Sequence, residues 1–217
     1  MAREQYHKEL IKLKENTLKM GELAKIAVRD SVISLKEQNV ALAEKVIGMD
    51  KDIDSLDHSV EDSCLALLAL QQPMARDLRM ISSVLRIIID LERIGDLALE
   101  IAVITKLTAN EPHIKPLVDI PRMSEICQEM IHNAMIAFET SDVELARKTA
   151  KRDDEVDALF DQVRRELITF MIEDPRKITN ASHLTFVARY LERIGDHANN
   201  LCESVVFMVT GERVELN

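Results

Sequence analysis

Four pairs of acidic residues, each spaced four positions apart, are the feature of this sequence most suited to chemistry. On a helix that spacing places both carboxylates on one face, one turn apart. Such like charges repel, at a cost of roughly a few tenths of a kcal/mol per pair, unless a cation neutralises them. Hard cations such as Mg²⁺, Mn²⁺, Ca²⁺ or iron favour sites made of oxygen ligands. The pairs are Asp50 with Asp54, Glu92 with Asp96, Asp153 with Asp157, and Glu192 with Asp196.

These pairs belong to an internal repeat. Residues 91–96 (LERIGD) recur without change as residues 191–196. Upstream, the acidic segment 50–56 resembles residues 153–159. A repeat at this long period indicates two related structural units, each with an acidic pair on its second and its third helix. Each unit could therefore bring four carboxylates together.

The phase of the third predicted helix places its acidic pair beside the core. Glu92 and Asp96 lie next to the apolar stripe, so a metal would bind on the flank of the bundle, open to water or to a partner. The main rival interpretation is a solvated helix face on which Arg93 and Arg193 neutralise the carboxylates as ordinary salt bridges. The apolar stripe consists of Val84, Ile87, Leu91, Ile94, Ala98 and Ile101.

A glycine stands inside each LERIGD segment. Gly95 and Gly195 each cost a helix interior about 1 kcal/mol relative to alanine. They predict that a neighbouring helix or a ligand packs closely at that point.

The elements that carry these residues are predicted to be long helices. The sequence has five Gly, five Pro, no Trp and 3% aromatic residues, which gives little support for strands and hairpins. Asn39 and Asn180 are predicted helix N-caps, and residues 141–144 have the form of a capping box. The predicted helices span about 4–36, 39–70, 73–107, 121–140, 141–172 and 180–209.

Six long antiparallel helices predict an all-α protein made of two tandem, related three-helix bundles. Residues 108–120 contain Pro112 and Pro116 without a clear period, and they indicate a linker. We therefore predict a first domain at 1–110 and a second at 116–217.

Composition and charge exclude several classes of protein. A net charge of −10 argues against a nucleic-acid partner. The three cysteines, Cys64, Cys127 and Cys202, lie in apolar surroundings and are expected to be reduced core residues. No signal peptide is evident, and the longest apolar runs, such as 64–70, are too short to span a membrane. We expect a soluble cytoplasmic protein without direct membrane insertion.

Two Glu-x-x-His patterns are typical of ligand pairs in di-iron bundles. They are Glu4 with His7 and Glu129 with His132, and they do not occupy equivalent positions in the repeat. This disfavours a di-iron oxidase. A carboxylate-bridged metalloenzyme of another kind and a metal-binding helical scaffold stay open as alternatives to a regulatory role.

The duplicated LERIGD segment, the upstream acidic motifs and residues 71–79 (QQPMARDLR) together resemble the PhoU family over nearly the whole chain. The resemblance implies two spectrin-like three-helix bundles side by side, often dimeric, without enzymatic activity. It implies a negative regulator of phosphate uptake and of phosphate-starvation signalling. Such an adaptor would contact the ATPase subunit of the phosphate ABC transporter and the sensor histidine kinase.

The resemblance also implies metal ions such as Fe, Mn, Mg or Zn on the acidic motifs. The ligands carried over residue by residue are Asp50, Asp54, Glu92, Asp96, Asp153, Asp157, Glu192 and Asp196. Because the carboxylate flank repels anions, we expect phosphate not to be bound directly by protein groups, so that any phosphate contact would go through a metal.

The two copies differ around their acidic motifs. Asp57 and Glu61 correspond to Phe160 and Arg164, and Glu100 corresponds to Asn200, so the second site should be less acidic at its rim. Arg76 and Arg79 have no counterpart in the second copy. A salt bridge to Asp77 or to the bundle is the default expectation for these two arginines, and a partner contact is the alternative.

Overall fold

The computed structural model describes residues 2–71 and 73–216, and all regular structure in these ranges is helical. Residue 72, within the QQPMARDLR segment, lies outside them. The predicted all-α class is confirmed. The seven α-helices are α1 Ala2–Glu37, α2 Val40–Gln71, α3 Ala75–Thr108, α4 Asp119–Thr140, α5 Val143–Ala150, α6 Asp153–Glu173 and α7 Ile178–Thr210, with a 3₁₀ turn at Pro175–Lys177 before α7.

Helices α3 and α7 form the centre of the molecule and pack against each other. Helix α3 also packs on α1 and α2, and α7 packs on α4, α5 and α6, while α1 contacts α4. One apolar core runs through both halves. The predicted stripe on α3 is completely buried. The domain limits 1–110 and 116–217 stay predictions, because the packing joins the two halves.

The sequence predicts side-chain caps before α2 and before α5. The first is confirmed, and the second lies one residue later than predicted. The side-chain oxygen of Asn39 accepts a hydrogen bond from the Leu42 N–H at 3.0 Å, as expected of an N-cap. The cap before α5 is Asp142, whose carboxylate accepts from the Leu145 N–H at 2.9 Å. Ser141 has a left-handed backbone (φ 60°) and ends α4, so the predicted capping box was wrong by one position.

The starts of α3, α4 and α7 differ from prediction. Helix α3 begins at Ala75, two residues after Pro73. Helix α4 begins at Asp119, because Pro121 is tolerated in a first turn whose N–H groups have no helical partner. Asn180 is buried inside α7 and caps nothing. Asp174 caps instead, accepting from the Arg176 N–H at 3.2 Å, and the 3₁₀ turn continues directly into α7.

The predicted long fifth helix is two helices. Helix α5 ends at Ala150 and α6 begins at Asp153. Lys151 and Arg152 keep right-handed helical dihedrals, which is why periodicity alone did not reveal the break. The break places Asp153 in the first turn of a new helix, where the helix dipole favours a carboxylate. Asp50, its counterpart, lies inside the continuous α2.

The glycines of the two LERIGD segments are points of close helix packing, as predicted. A Cβ on Gly95 would lie 2.9 Å from the Cδ1 atom of Ile53 on α2. A Cβ on Gly195 would lie 2.5 Å from the Oδ1 atom of Asp153 on α6. In the second copy the closest neighbour is thus a carboxylate that is 2% exposed.

We predict opposite effects for alanine at Gly195 and at Gly48. Gly195→Ala should lower the free energy of unfolding by about 1–3 kcal/mol, because the methyl group displaces the buried Asp153. Gly48 is also helical, but nothing lies within 4 Å of the position that a Cβ atom would take there. Gly48→Ala should therefore stabilise by about 0.5–1 kcal/mol. Urea denaturation measures both, and equal shifts of the two variants would contradict the close packing.

Candidate functional site: two acidic clusters on the helix flanks

The first acidic cluster combines carboxylates of α2 and α3. Burial raises the pKa of Asp50, and the charges of Asp54 on its own helix and Asp96 on α3 raise it further. Burial also raises the pKa of Glu92, followed by the charge of Asp96, with smaller contributions from Asp57 and Asp54 across the helix boundary. The structure therefore brings together the four residues predicted for this copy.

Asp57 is a further member of the first acidic cluster, which sequence reasoning placed only at its rim. Burial raises the pKa of this carboxylate, with added repulsion from Glu61 and Asp54, whereas His58 acts in the opposite direction. Its position three residues after Asp54 puts it on the same helix face. That spacing was the signal available in the sequence.

Arg93 supplies the cationic partner of the first acidic cluster. Its Nε atom lies 3.4 Å from Glu92 Oε2, and its Nη1 atom lies 2.9 Å from Asp96 Oδ2. The predicted salt bridges of Arg93 are confirmed. An exposed pair of this kind stabilises by about 0–1 kcal/mol. A single arginine among five carboxylates leaves the cluster with an excess of negative charge.

The second acidic cluster lies on α6 and α7. Burial raises the pKa of Asp157, followed by the charge of Asp196 on the other helix. Burial likewise raises the pKa of Glu192, with repulsion from Asp196, Asp157 and Asp153. The four residues predicted for the second copy are thus also electrostatically coupled.

An arginine also pairs with a carboxylate of the second acidic cluster. Arg189 forms an ion pair with Glu192, so it takes the place expected of Arg193, which lies one helical turn later. The guanidinium groups of Arg164 and Arg189 each lie 5.8 Å from the centre of the Phe160 ring. Phe160 and Arg164 stand where the first copy has two carboxylates. The predicted weaker acidity of the second rim agrees with this arrangement.

The donor chemistry of both clusters fits a hard cation, but the ligands are not gathered around one point. Within 2–71 and 73–216, no three Asp, Glu, His or Cys side chains stand as a set that could hold a metal ion. The Oε2 atom of Glu192 is buried and accepts no hydrogen bond from the described part of the chain, which suits a cation ligand. The eight metal ligands stay a prediction.

Other candidate ligands and nucleophiles have structural roles. The carboxylate of Glu129 accepts from Arg152 at 3.0 Å, so it is engaged in an ion pair. The three cysteines are buried and free, and burial raises the pKa of each thiol. His197 Nδ1 lies 2.9 Å from Asp90 Oδ1, which links α7 to α3 between the two halves. No spacing in the sequence indicated that link.

A family model described as "PhoU domain" matches this chain twice, at residues 17–105 and 120–205. The chain belongs to the PhoU family. The two matches coincide with the two copies of the repeat, and each contains one acidic cluster. Within the described residues, no helix of this PhoU-family chain is both long and apolar enough to cross a membrane.

Relatives and solved structures agree with this assignment. A protein of Aquifex aeolicus (strain VF5), named "Phosphate-specific transport system accessory protein PhoU homolog", is 47% identical over 208 residues, which cover 96% of this chain and 94% of that protein. The crystal structure of PhoU from Pseudomonas aeruginosa superposes with a TM-score of 0.92 at 35% identity, covering 95% of this chain and 100% of the other. The crystal structure of the phosphate transport system regulatory protein PhoU from Streptococcus pneumoniae superposes with a TM-score of 0.88 at 27% identity. The match covers 96% of this chain and 99% of the other.

The raised pKa values predict how the stability of the metal-free protein depends on pH. A carboxyl whose pKa is raised by folding holds its proton where the unfolded chain has released it. Its contribution to stability is therefore present in acid and is lost as the pH rises from about 4 through the folded-state pKa. Neutralising Asp50, whose raised pKa stems from burial and from two like charges, should remove this penalty.

We predict that Asp50→Asn stabilises the metal-free protein at pH 7 by roughly a few tenths of a kcal/mol, with a smaller gain near pH 3.5. Asp52→Asn, an exposed change of the same charge on another face of α2, is the matched control. Urea midpoints of both variants at the two pH values measure the difference. An Asp50→Asn protein less stable than wild type at pH 7 would contradict the repulsion.

Proposed function

We propose that this chain regulates phosphate transport as a negative regulator of phosphate uptake and of phosphate-starvation signalling. The observation that carries the proposal is family membership over both copies, together with relatives named as phosphate-specific transport accessory proteins. We propose that it acts as an adaptor between the ATPase subunit of the phosphate ABC transporter and the sensor histidine kinase. Homodimerisation and a cytoplasmic location form part of the same proposal.

The acidic clusters are the proposed docking surfaces of this adaptor. They lie on helix flanks, where Asp54, Asp157 and Asp196 are exposed. An excess of negative charge on a rigid helix pair steers and selects a partner surface of positive charge. The rim of the first acidic cluster carries Asp57 and Glu61 where the second has Phe160 and Arg164, so we propose that the first makes the greater contribution to partner choice.

A bound metal would act through the same residues. Asp50, Asp54, Glu92 and Asp96 would hold it in the first acidic cluster, and the four equivalent residues would hold it in the second. The metal would supply positive charge that relieves the repulsion among the carboxylates and joins two helices. The chain's own contribution is to fix those carboxylates along neighbouring helices, where the glycines of the LERIGD segments permit the close approach.

A metalloenzyme using paired carboxylates is the alternative from another functional class. Such an enzyme needs a sheltered site in which water is excluded from the reacting groups. The exposure of Asp54, Asp157 and Asp196 favours a contact surface instead. We therefore propose that the chain has no catalytic activity of its own.

The test compares a docking variant with a control of equal charge. Asp50→Asn/Asp54→Asn removes two charges from the first acidic cluster, whereas Asp52→Asn/Asp62→Asn removes two charges from exposed positions of α2 outside it. We predict that the cluster variant loses metal by elemental analysis. It should also bind the transporter ATPase subunit and the sensor kinase at least tenfold more weakly in surface plasmon resonance.

Each outcome of that test decides a different part of the proposal. Loss of metal with unchanged partner affinity would leave an adaptor whose contact surface lies elsewhere. Equal losses in the cluster variant and in the control would show that total charge, not the cluster, controls binding. Wild-type protein that binds neither partner would contradict the adaptor role.

A further inference from the structure

Two adjoining cavities lie at the start of α3, and the inner one lies between the halves of the molecule. The inner one has a volume of about 370 Å³ and is lined from α1, α3, α4 and α7. The outer one, of about 690 Å³, extends it along α1. Both are lined by Lys14, Arg76, Asp77 and Met80. We call the two together the interhalf cavity.

Three cationic side chains line the inner cavity without a carboxylate partner in the described ranges. They are Lys14 on α1, and Arg76 and Arg79 on the first turns of α3. The Lys14 ammonium donates to the Glu139 carbonyl oxygen. Arg79 Nε donates to the Met208 carbonyl oxygen at 3.3 Å. These bonds orient the two cations but cancel no full charge, and each leaves further N–H donors available.

Asp77 is one of the two partners expected for these arginines, the other being the bundle, to which Arg79 bonds through the Met208 carbonyl oxygen. The Oδ2 atom of Asp77 accepts a hydrogen bond from the Tyr6 hydroxyl at 3.0 Å. Burial and the adjacent Asp77 carboxylate raise the pKa of Tyr6 to about 12, so the phenol keeps its proton as the donor. Glu4 lines only the outer cavity. The inner cavity therefore holds three cations against one carboxylate, in a chain whose net charge is −10.

The remaining wall of the inner cavity is mostly apolar. Met80, Phe138, Met208 and Val209 contribute to it, beside Ser141. Its volume lies in the range of cavities that bind small organic molecules. An apolar wall facing a group of cations suits a ligand that has an anionic end and an apolar body.

From this arrangement we infer that the interhalf cavity binds a small organic phosphate, such as a nucleotide. Arginine recognises phosphate oxygens through paired N–H donors, and the guanidinium of Arg76 has its donors free of partners in the described residues. The phosphate group lies against Lys14, Arg76 and Arg79, and the organic body lies against Met80 and Phe138.

This site is separate from the acidic clusters. Glu92 lies about 20 Å along α3 from Arg79, at 1.5 Å per residue. The repulsion of anions expected on the acidic flank does not extend over that distance at physiological ionic strength. The inference goes beyond the proposed function, because it requires neither metal nor a protein partner.

Isothermal titration calorimetry tests the inference with full-length protein that has been treated with chelator and dialysed. The probes are ATP, inorganic phosphate and adenosine. We expect ATP to bind and adenosine not to bind, with inorganic phosphate weaker than ATP. Arg76→Gln/Arg79→Gln should weaken ATP binding at least tenfold. Arg122→Gln, an exposed arginine of α4 outside the interhalf cavity, should leave it unchanged.

Two further measurements keep the result decisive. Thermal unfolding and circular dichroism show whether the double variant is folded. If the double variant is not folded, the single variant Arg76→Gln, at an exposed position, replaces it in the titration. Raising the salt concentration should weaken ATP binding to wild type. The inference is overturned if ATP does not bind the wild type, if the arginine variants bind it equally well, or if inorganic phosphate binds as tightly as ATP.

Discussion

The close approach of two helices at Gly95 and Gly195 is the constraint on which the acidic clusters depend. Because neither position has a side chain, the preceding helix lies against the LERIGD segment, and the carboxylates of both helices come within electrostatic reach. Packing of the core stabilises this approach, whereas repulsion among the carboxylates opposes it. The fold therefore holds negative charge on two flanks at some cost in stability, which is typical of residues retained for binding.

The two copies of the repeat differ in the contacts that offset the repulsion among their carboxylates. The first relies on Arg93, which bridges two of its carboxylates on the surface. The second buries Asp153 at the start of a new helix and pairs Glu192 with Arg189. A duplicated sequence has thus produced two flanks with different rims, Asp57 and Glu61 on the first and Phe160 and Arg164 on the second. The two flanks are joined through the packing of α3 and α7. Such asymmetry gives a single chain two surfaces of different character.

Much of the fold was predictable from the sequence, because long amphipathic periods and an exact repeat specify helices and their duplication. The buried stripe on α3 and the N-cap Asn39 agree with the structure. The break before Asp153 was not predictable, since Lys151 and Arg152 keep helical dihedrals. The interhalf cavity could not be predicted from the sequence either, because its lining comes from four helices that are distant in sequence. Of that lining, sequence reasoning singles out the two arginines at the start of α3, the neighbouring Asp77, and Glu4 and His7 of the outer cavity.

We propose that carboxylates from two helices hold one cation together on each flank. Titration of the metal-free protein with Mn²⁺, followed by electron paramagnetic resonance, addresses this coupling without any partner protein. We expect Asp54→Asn on α2 and Glu92→Gln on α3 to weaken binding at the same site, and the combined variant to lose less affinity than the separate losses imply. Mn²⁺ affinity unchanged in both single variants would show that the two helices do not share a cation.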